Sequence, residues 1–109
     1  MTKKLELLRG TLDMLILKTV VLSPMHGYGI SQRLKQISRE VLDVRQGSLY
    51  PALHRLELRG LLEAHWGASE NNRRAKFYQL TNEGKKRLNA ESQRWARLSA
   101  AVAFVLQAS

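Results

Sequence analysis

The chain has 109 residues, of which 44% are hydrophobic, so it can form one small domain with a compact core. Its 18 lysines and arginines against 9 acidic residues give a net charge of +9, which favours nucleic acid or an anionic membrane surface as a partner. The lack of cysteine excludes disulfides, thiolate zinc sites and cysteine nucleophiles.

The first residues, Met1-Thr2-Lys3-Lys4, resemble the basic end of a signal peptide, but Asp13 and Lys18 interrupt the apolar stretch behind them. The longest uncharged apolar run, residues 100–106, is far shorter than the roughly 18 residues that a membrane-spanning helix needs. We therefore expect a cytoplasmic protein without a membrane span.

Apolar residues recur at helical spacing in two segments of the first half of the chain. The first predicted helix covers residues 11–22 and ends before Pro24, because the residue preceding a proline avoids helical geometry. The second covers residues 28–40, behind a tight turn that Gly27 permits.

A third helical pattern precedes Gly60, a residue type that often ends a helix. Because proline is tolerated in the first turn, Pro51 indicates that this helix begins near Gly47. The apolar stripe consists of Leu49, Leu53 and Leu56. Off the stripe lie Gln46, Ser48, His54 and Arg55, with Tyr50 at its edge.

After Gly60 the apolar period changes from helical to alternating, with Leu62, Ala64 and Trp66 on one face of a predicted strand. Residues 67–72 have the composition of a turn, and residues 75–80 form the predicted return strand. The result is a β-hairpin whose cations at or beside the tip are Arg73, Arg74 and Lys76.

Two helices joined by a short turn and followed by a basic hairpin predict a winged helix-turn-helix. A helix has the right diameter for the DNA major groove, and the cationic hairpin would lie against the backbone or the minor groove. An ordinary solvated face explains the exposed residues of the third helix equally well. The hairpin favours DNA, because three like charges without a nearby acidic run repel one another and phosphates relieve that repulsion.

Thr81 is the predicted N-cap of a last helix that extends from Asn82 to about Leu106. A heptad pattern, interrupted by Glu91, predicts that this helix pairs two copies. The predicted dimer interface consists of Leu88, Trp95, Leu98, Val102 and Val105. The alternative is that these apolar residues of the last helix pack on the domain of their own chain.

We expect a DNA-binding domain at residues 1–81 and a dimerisation helix at 82–109, in a mainly α fold with a small β-hairpin.

Trp95 suggests a further hypothesis. If two copies of this residue approach across a two-fold axis, they form a slot for a planar aromatic ligand. The alternative is that Trp95 only fills the interface.

An enzyme is not expected. His26, His54 and His65 lie in three different elements without metal-ligand spacing. The 9 acidic residues include no close pair on one face, and the chain has no glycine-rich phosphate loop. We therefore expect no catalytic residue, metal site or cofactor.

Several segments of this chain resemble the PadR family of bacterial transcriptional regulators. They are Gly10-Thr11-Leu12-Asp13, residues 26–30 (HGYGI), residues 47–57 (GSLYPALHRLE) with Gly60-Leu61, and residues 72–81 (NRRAKFYQLT) with Gly84. The resemblance covers nearly the whole chain, which looks like the short-tailed branch with a single C-terminal dimerisation helix.

The resemblance implies a homodimeric repressor that binds a pseudo-palindromic operator. The family's recognition helix corresponds to Gln46, Ser48, Tyr50 and His54, and its basic wing to Arg73, Arg74 and Lys76. Tyr28 would contact a backbone phosphate. Some relatives bind planar aromatic compounds between the C-terminal helices, and Trp95 matches a tryptophan position used in that way.

Two other functions remain open at this point. One is a winged-helix module that binds RNA or protein. The other is an amphipathic protein of the membrane surface, although the narrow seam from Trp95 to Val105 is unlike a broad cationic face.

Overall fold

The computed structural model describes residues 9–109, so the basic start Met1–Lys4 lies outside the described residues. The elements in chain order are α1 (Arg9–Thr19), β1 (Met25–His26), α2 (Gly27–Ile37), α3 (Gln46–Leu58), β2 (Leu62–Ala68), β3 (Arg74–Leu80) and α4 (Asn82–Gln107). This order confirms the predicted fold class, a mainly α winged helix-turn-helix with a long C-terminal helix.

The first two helices end earlier than the periodicity predicts. After Thr19 the hydrogen bonds tighten into a short turn, in which the Val21 N–H donates to the Lys18 carbonyl at 3.3 Å. Helix α2 ends at Ile37 because Arg39 and Glu40 adopt φ angles of 55° and 68°. Left-handed residues cannot continue an α-helix.

Helix α3 begins beside Gly47 as predicted, but Pro51 lies in its second turn rather than in its first. The proline ring removes the hydrogen bond that residue 51 would donate to the Gly47 carbonyl. Both positions are exposed, so water can hydrogen-bond to that carbonyl. Gly60 follows the helix with a φ angle of 74°, as expected for a glycine beyond a C-terminus.

Strand β1 was not predicted. Its two residues pair antiparallel with β3, Met25 opposite Tyr78 and His26 opposite Phe77, and give the sheet the order β1-β3-β2. A two-residue strand is too short to show an alternating pattern in the sequence.

The β2-β3 hairpin pairs Leu62 with Leu80 at its base and Ala68 with Arg74 near its tip. Because side chains alternate along a strand, one face of the hairpin is apolar at the base and cationic toward the tip. That face carries Leu62, Ala64, Trp66, Ala68, Arg74, Lys76, Tyr78 and Leu80.

The core lies between the helices and the base of the hairpin. Its fully buried side chains include Ile16 and Leu17 of α1 and Ile30 of α2. The predicted stripe of α3 is confirmed, since Leu49, Leu53 and Leu56 are at most 1% exposed.

Arg55 does not face solvent, contrary to the sequence-based prediction that it is free to meet DNA. Its Nη2 donates to the Asp13 carboxylate at 2.9 Å and so joins α3 to α1. Both side chains are largely buried, and Nε of Arg55 has no partner among the described residues. The pair therefore fixes the position of α3 relative to α1.

The start of α4 confirms the predicted cap. Thr81 Oγ1 accepts from the Gly84 N–H at 2.9 Å and donates to the Gly60 carbonyl at 2.7 Å. A Cβ at Gly84 would collide with the Leu61 carbonyl, so this turn of the helix lies directly on the backbone before β2.

Within residues 9–109, no helix is long and apolar enough to cross a membrane.

Replacing Gly84 with alanine should destabilise the fold by about 3 kcal/mol, because the helix must move away from the Leu61 backbone. Urea unfolding followed by circular dichroism at fixed protein concentration measures the loss. Gly47→Ala is the matched control, since its Cβ meets nothing within 4 Å. Equal midpoints for the two variants would contradict the close approach.

Asp13→Ala should cost about 2 kcal/mol of unfolding free energy, because it leaves a largely buried guanidinium without its carboxylate. The same urea titration measures it. Glu83→Gln, which breaks the exposed pair with Lys86, should leave the midpoint unchanged. A loss for Asp13→Ala no larger than that of Glu83→Gln would show that the buried pair does not hold α3.

Candidate nucleic-acid interface

One cleft collects most of the side chains that the sequence singled out. It has a volume of about 520 Å³ and opens between the N-terminus of α2, the start of α3 and the outer half of the hairpin. Of the 8 predicted contact residues, those that line it are Tyr28, Tyr50, Arg73, Arg74 and Lys76. Gln46, Ser48 and His54 lie outside the cleft on the exposed side of α3.

The N-terminus of α2 forms one wall of the cleft. His26 caps this helix, its Nδ1 accepting from the Gly29 N–H at 3.0 Å. The Tyr50 ring packs on Gly27 so closely that a Cβ there would lie 2.8 Å from it, which explains the need for glycine at this position. Tyr28 is 60% exposed at the rim. Two tyrosines from different helices therefore meet at one helix N-terminus.

Helix α3 presents a polar face opposite its buried stripe. Gln46, Ser48 and His54 are exposed, and Tyr50 is partly exposed at the edge of the cleft. The side chain of the N-cap residue, Arg45, makes no cap hydrogen bond. The first turn of α3 therefore points backbone N–H groups and the positive end of the helix dipole outward.

The hairpin tip is an ordered turn. The Ser69 N–H donates to the Arg73 carbonyl at 2.8 Å, the Asn72 N–H donates to the Ser69 carbonyl at 2.9 Å, and Asn72 has a φ angle of 56°. Arg73 and Arg74 are exposed at the end of this turn. Two guanidinium groups are thus held at the outer end of the sheet.

Trp66 belongs to this site although the sequence identified it only as a strand residue. The Arg74 guanidinium carbon lies 4.7 Å from the centre of its ring, the geometry of a cation–π contact. Trp66 is 58% exposed and lines the cleft. The register of the folded hairpin puts both residues on one face, two positions apart across the strands, whereas the sequence analysis placed Arg74 at the tip and predicted no register.

Lys76 differs from the two arginines, because the Glu57 carboxylate of α3 accepts from its Nζ at 2.9 Å. The sequence has no acidic run beside the hairpin cations, but this single carboxylate from α3 pairs with Lys76. The hydrogen bond raises the pKa of Lys76 above its ordinary value. The ammonium therefore stays charged to a higher pH than that of an ordinary lysine, and the pair is lost only as the pH rises through that higher pKa.

The opposite face of the hairpin is aromatic. The Phe77 ring lies 5.3 Å from the His26 ring and 5.9 Å from the His65 ring, measured between centroids. The two histidines therefore support the sheet.

Across residues 9–109, no group of three or more His, Cys, Asp or Glu side chains is placed to hold a metal ion.

The predicted seam of α4 divides into two parts. Leu88 packs against the core of its own chain. Trp95, Leu98 and Val102 are each about half exposed, and Val105 is 74% exposed. Trp95 also lines a small cleft of about 250 Å³ between α1 and α4. The second part of the seam is thus a row of exposed apolar side chains.

Known proteins resemble this chain over most of its length. The model of the transcriptional regulator PadR-like family matches residues 16–90. A protein from Streptococcus mutans is similar with a TM-score of 0.81 and 28% identity, covering 98% of this chain and 94% of that one. A PadR-like transcriptional regulator from Bacillus cereus is similar with a TM-score of 0.78 and 30% identity, covering 93% of this chain and 96% of that one. A transcriptional regulator from Clostridium thermocellum is similar with a TM-score of 0.79 and 27% identity, covering 87% of this chain and 92% of that one.

The family match runs from α1 into α4 and includes the whole cleft. The structural matches extend over the same elements and confirm the resemblance found in the sequence. The chain therefore belongs to the PadR-like family of transcriptional regulators.

Proposed function

We propose that this regulator is a cytoplasmic homodimer that binds a pseudo-palindromic DNA operator and represses transcription by occluding a promoter. One observation carries the proposal. The N-terminus of α2, Tyr50 of α3 and the two hairpin arginines line a single cleft, and the polar side chains of α3 are exposed outside it. These are the groups that read bases, bind phosphates and release counterions.

Each part of the surface has a distinct role in this proposal. Gln46, Ser48 and His54 read base edges from α3 in the major groove. Tyr28 and Tyr50 contact the sugar-phosphate strand at the positive end of the α2 dipole. Arg73 and Arg74 supply the cations of the wing, and Lys76 contributes from its pair with Glu57.

The dimer accounts for the exposed apolar row of α4. Leu98, Val102 and Val105 keep much of their surface in water in the single chain, and pairing two copies would bury it. The winged helix at residues 1–81 would then bind DNA, and the helix at 82–109 would join the copies. A planar aromatic effector remains a hypothesis for the surroundings of Trp95, which lines the cleft of about 250 Å³ beside α1.

Enrichment of random DNA duplexes on the purified full chain tests the proposal. We expect a motif of two inverted half-sites with centres about 10 to 10.5 base pairs apart, or a small multiple of that distance. RNA of the same sequence should bind more weakly. Failure to enrich any duplex, or tighter binding to RNA, would favour the alternative of a module that binds RNA or protein.

Replacing Arg73 and Arg74 with alanine should weaken binding to every duplex and reduce the slope of log affinity against log salt by about one or two, because two cations that release counterions from the DNA are lost. Fluorescence anisotropy across a salt series measures the slope. Lys86→Ala with Arg97→Ala is the matched control, since it removes the same charge from α4. Equal slopes for the wing variant and the wild type would exclude these arginines from the interface.

Introducing glutamate at Leu98 and Val102 should convert the dimer to monomers in sedimentation velocity, because charge would be buried along the seam. Glutamates at Gln93 and Ala100, two exposed positions off the seam, should leave the dimer intact. A seam variant that still sediments as a dimer would show that α4 does not join the copies through this row.

A further inference from the structure

Trp66 and Arg74 form a pair near the hairpin tip that core packing does not require. Trp66 is more than half exposed, and the Arg74 guanidinium lies over its ring at 4.7 Å. The other cation on this face, Lys76, is held by Glu57 at 2.9 Å. The three cations of the hairpin therefore occupy three different environments: one paired, one stacked and one exposed.

The stacked arginine is held on a rigid support. On the hairpin face that carries Trp66, the Lys76–Glu57 pair ties β3 to α3. On the opposite face, Phe77 packs between His26 and His65. A side chain on such a support loses little conformational entropy when it binds, because it is already ordered.

We propose that Trp66 is a positioning residue that holds Arg74 over its ring for insertion into a narrow minor groove beside each half-site. This inference rests on the proposed DNA binding. A guanidinium is planar and weakly hydrated, so stacking on an indole leaves its N–H edge free. A-tracts narrow the minor groove and strengthen its negative potential, which attracts an inserted arginine. The regulator would then prefer A·T-rich flanks at positions that α3 never contacts.

The cleft relates the position of Arg74 to that of the two tyrosines. Tyr28 of α2 and Tyr50 of α3 line a cleft of about 520 Å³, and Trp66 and Arg74 line it from the hairpin. With α3 in the major groove, the proposed contacts of Tyr28 and Tyr50 would place one sugar-phosphate strand along this cleft. The hairpin would then lie beyond that strand, with Arg74 toward the adjacent minor groove.

The test measures anisotropy of the full chain on three duplexes that share the enriched half-sites. At the four base pairs flanking each half-site, the duplexes carry AAAA, GCGC or ICIC, in which inosine removes the minor-groove amino group of guanine. We expect the wild type to bind the AAAA and ICIC duplexes about fivefold more tightly than the GCGC duplex. Trp66→Ala and Arg74→Lys should each reduce this ratio to below about twofold.

Two matched variants separate positioning from folding. Trp66→Phe keeps a ring under Arg74 and should retain part of the preference, whereas Arg73→Lys should retain all of it. Circular dichroism melting identifies a variant that does not fold. If Trp66→Ala does not fold, the flank preference of Arg74→Lys is compared with that of Arg73→Lys. This comparison tests the role of Arg74 without altering the Trp66 ring.

The outcomes distinguish this inference from the function on which it rests. A wild type that binds its enriched half-sites with equal affinity on all three flanks overturns the inference and leaves the proposed function intact. If Trp66→Ala or Arg74→Lys weakens binding equally on every flank, the inference is also overturned and the proposed function stays intact, because Arg74 then contacts a phosphate rather than the minor groove. Failure to enrich any duplex overturns both.

Discussion

Helix α3 is fixed by the burial of its apolar stripe, and the surface of the winged helix is arranged around that burial. Leu49, Leu53 and Leu56 are almost fully removed from water, and burial of each leucine contributes about 1.5 to 3 kcal/mol. The stripe determines the rotation of the helix about its own axis. Once that rotation is set, Gln46, Ser48 and His54 have to face solvent. The face proposed to read DNA is therefore a consequence of core packing.

Polar and aromatic contacts then set where the helix lies. The Asp13–Arg55 pair joins α3 to α1, and the Glu57–Lys76 pair joins it to β3. Tyr50 packs on Gly27 and joins it to α2. Ion pairs of this kind add little net stability, because removing charges from water offsets their attraction. Their effect is on geometry, since each contact connects α3 to a different neighbouring element.

Periodicity predicted the helices, the hairpin and the buried stripe because these features depend on residues close together in sequence. It failed for Arg55, whose partner Asp13 is 42 residues away in α1. The Lys76–Glu57 pair was also missed, because it joins two elements through a register that only the folded hairpin establishes. Strand β1 depends in the same way on its position beside β3. Trp66 was missed for the same reason, because its contact with Arg74 depends on the register of the folded hairpin, whereas the predicted return strand began after Arg74.

Helix α1 connects the two functional ends of the proposed dimer. It packs against α4 on one side and is tied to α3 by the Asp13–Arg55 pair on the other. The close approach of Gly84 to Leu61 fixes the start of α4 on the same domain. In a dimer joined through α4, the distance between the two α3 helices is then set by a continuous series of packed elements. The spacing of the proposed half-sites would follow from this packing, because no described segment between α3 and α4 is long enough to act as a flexible linker.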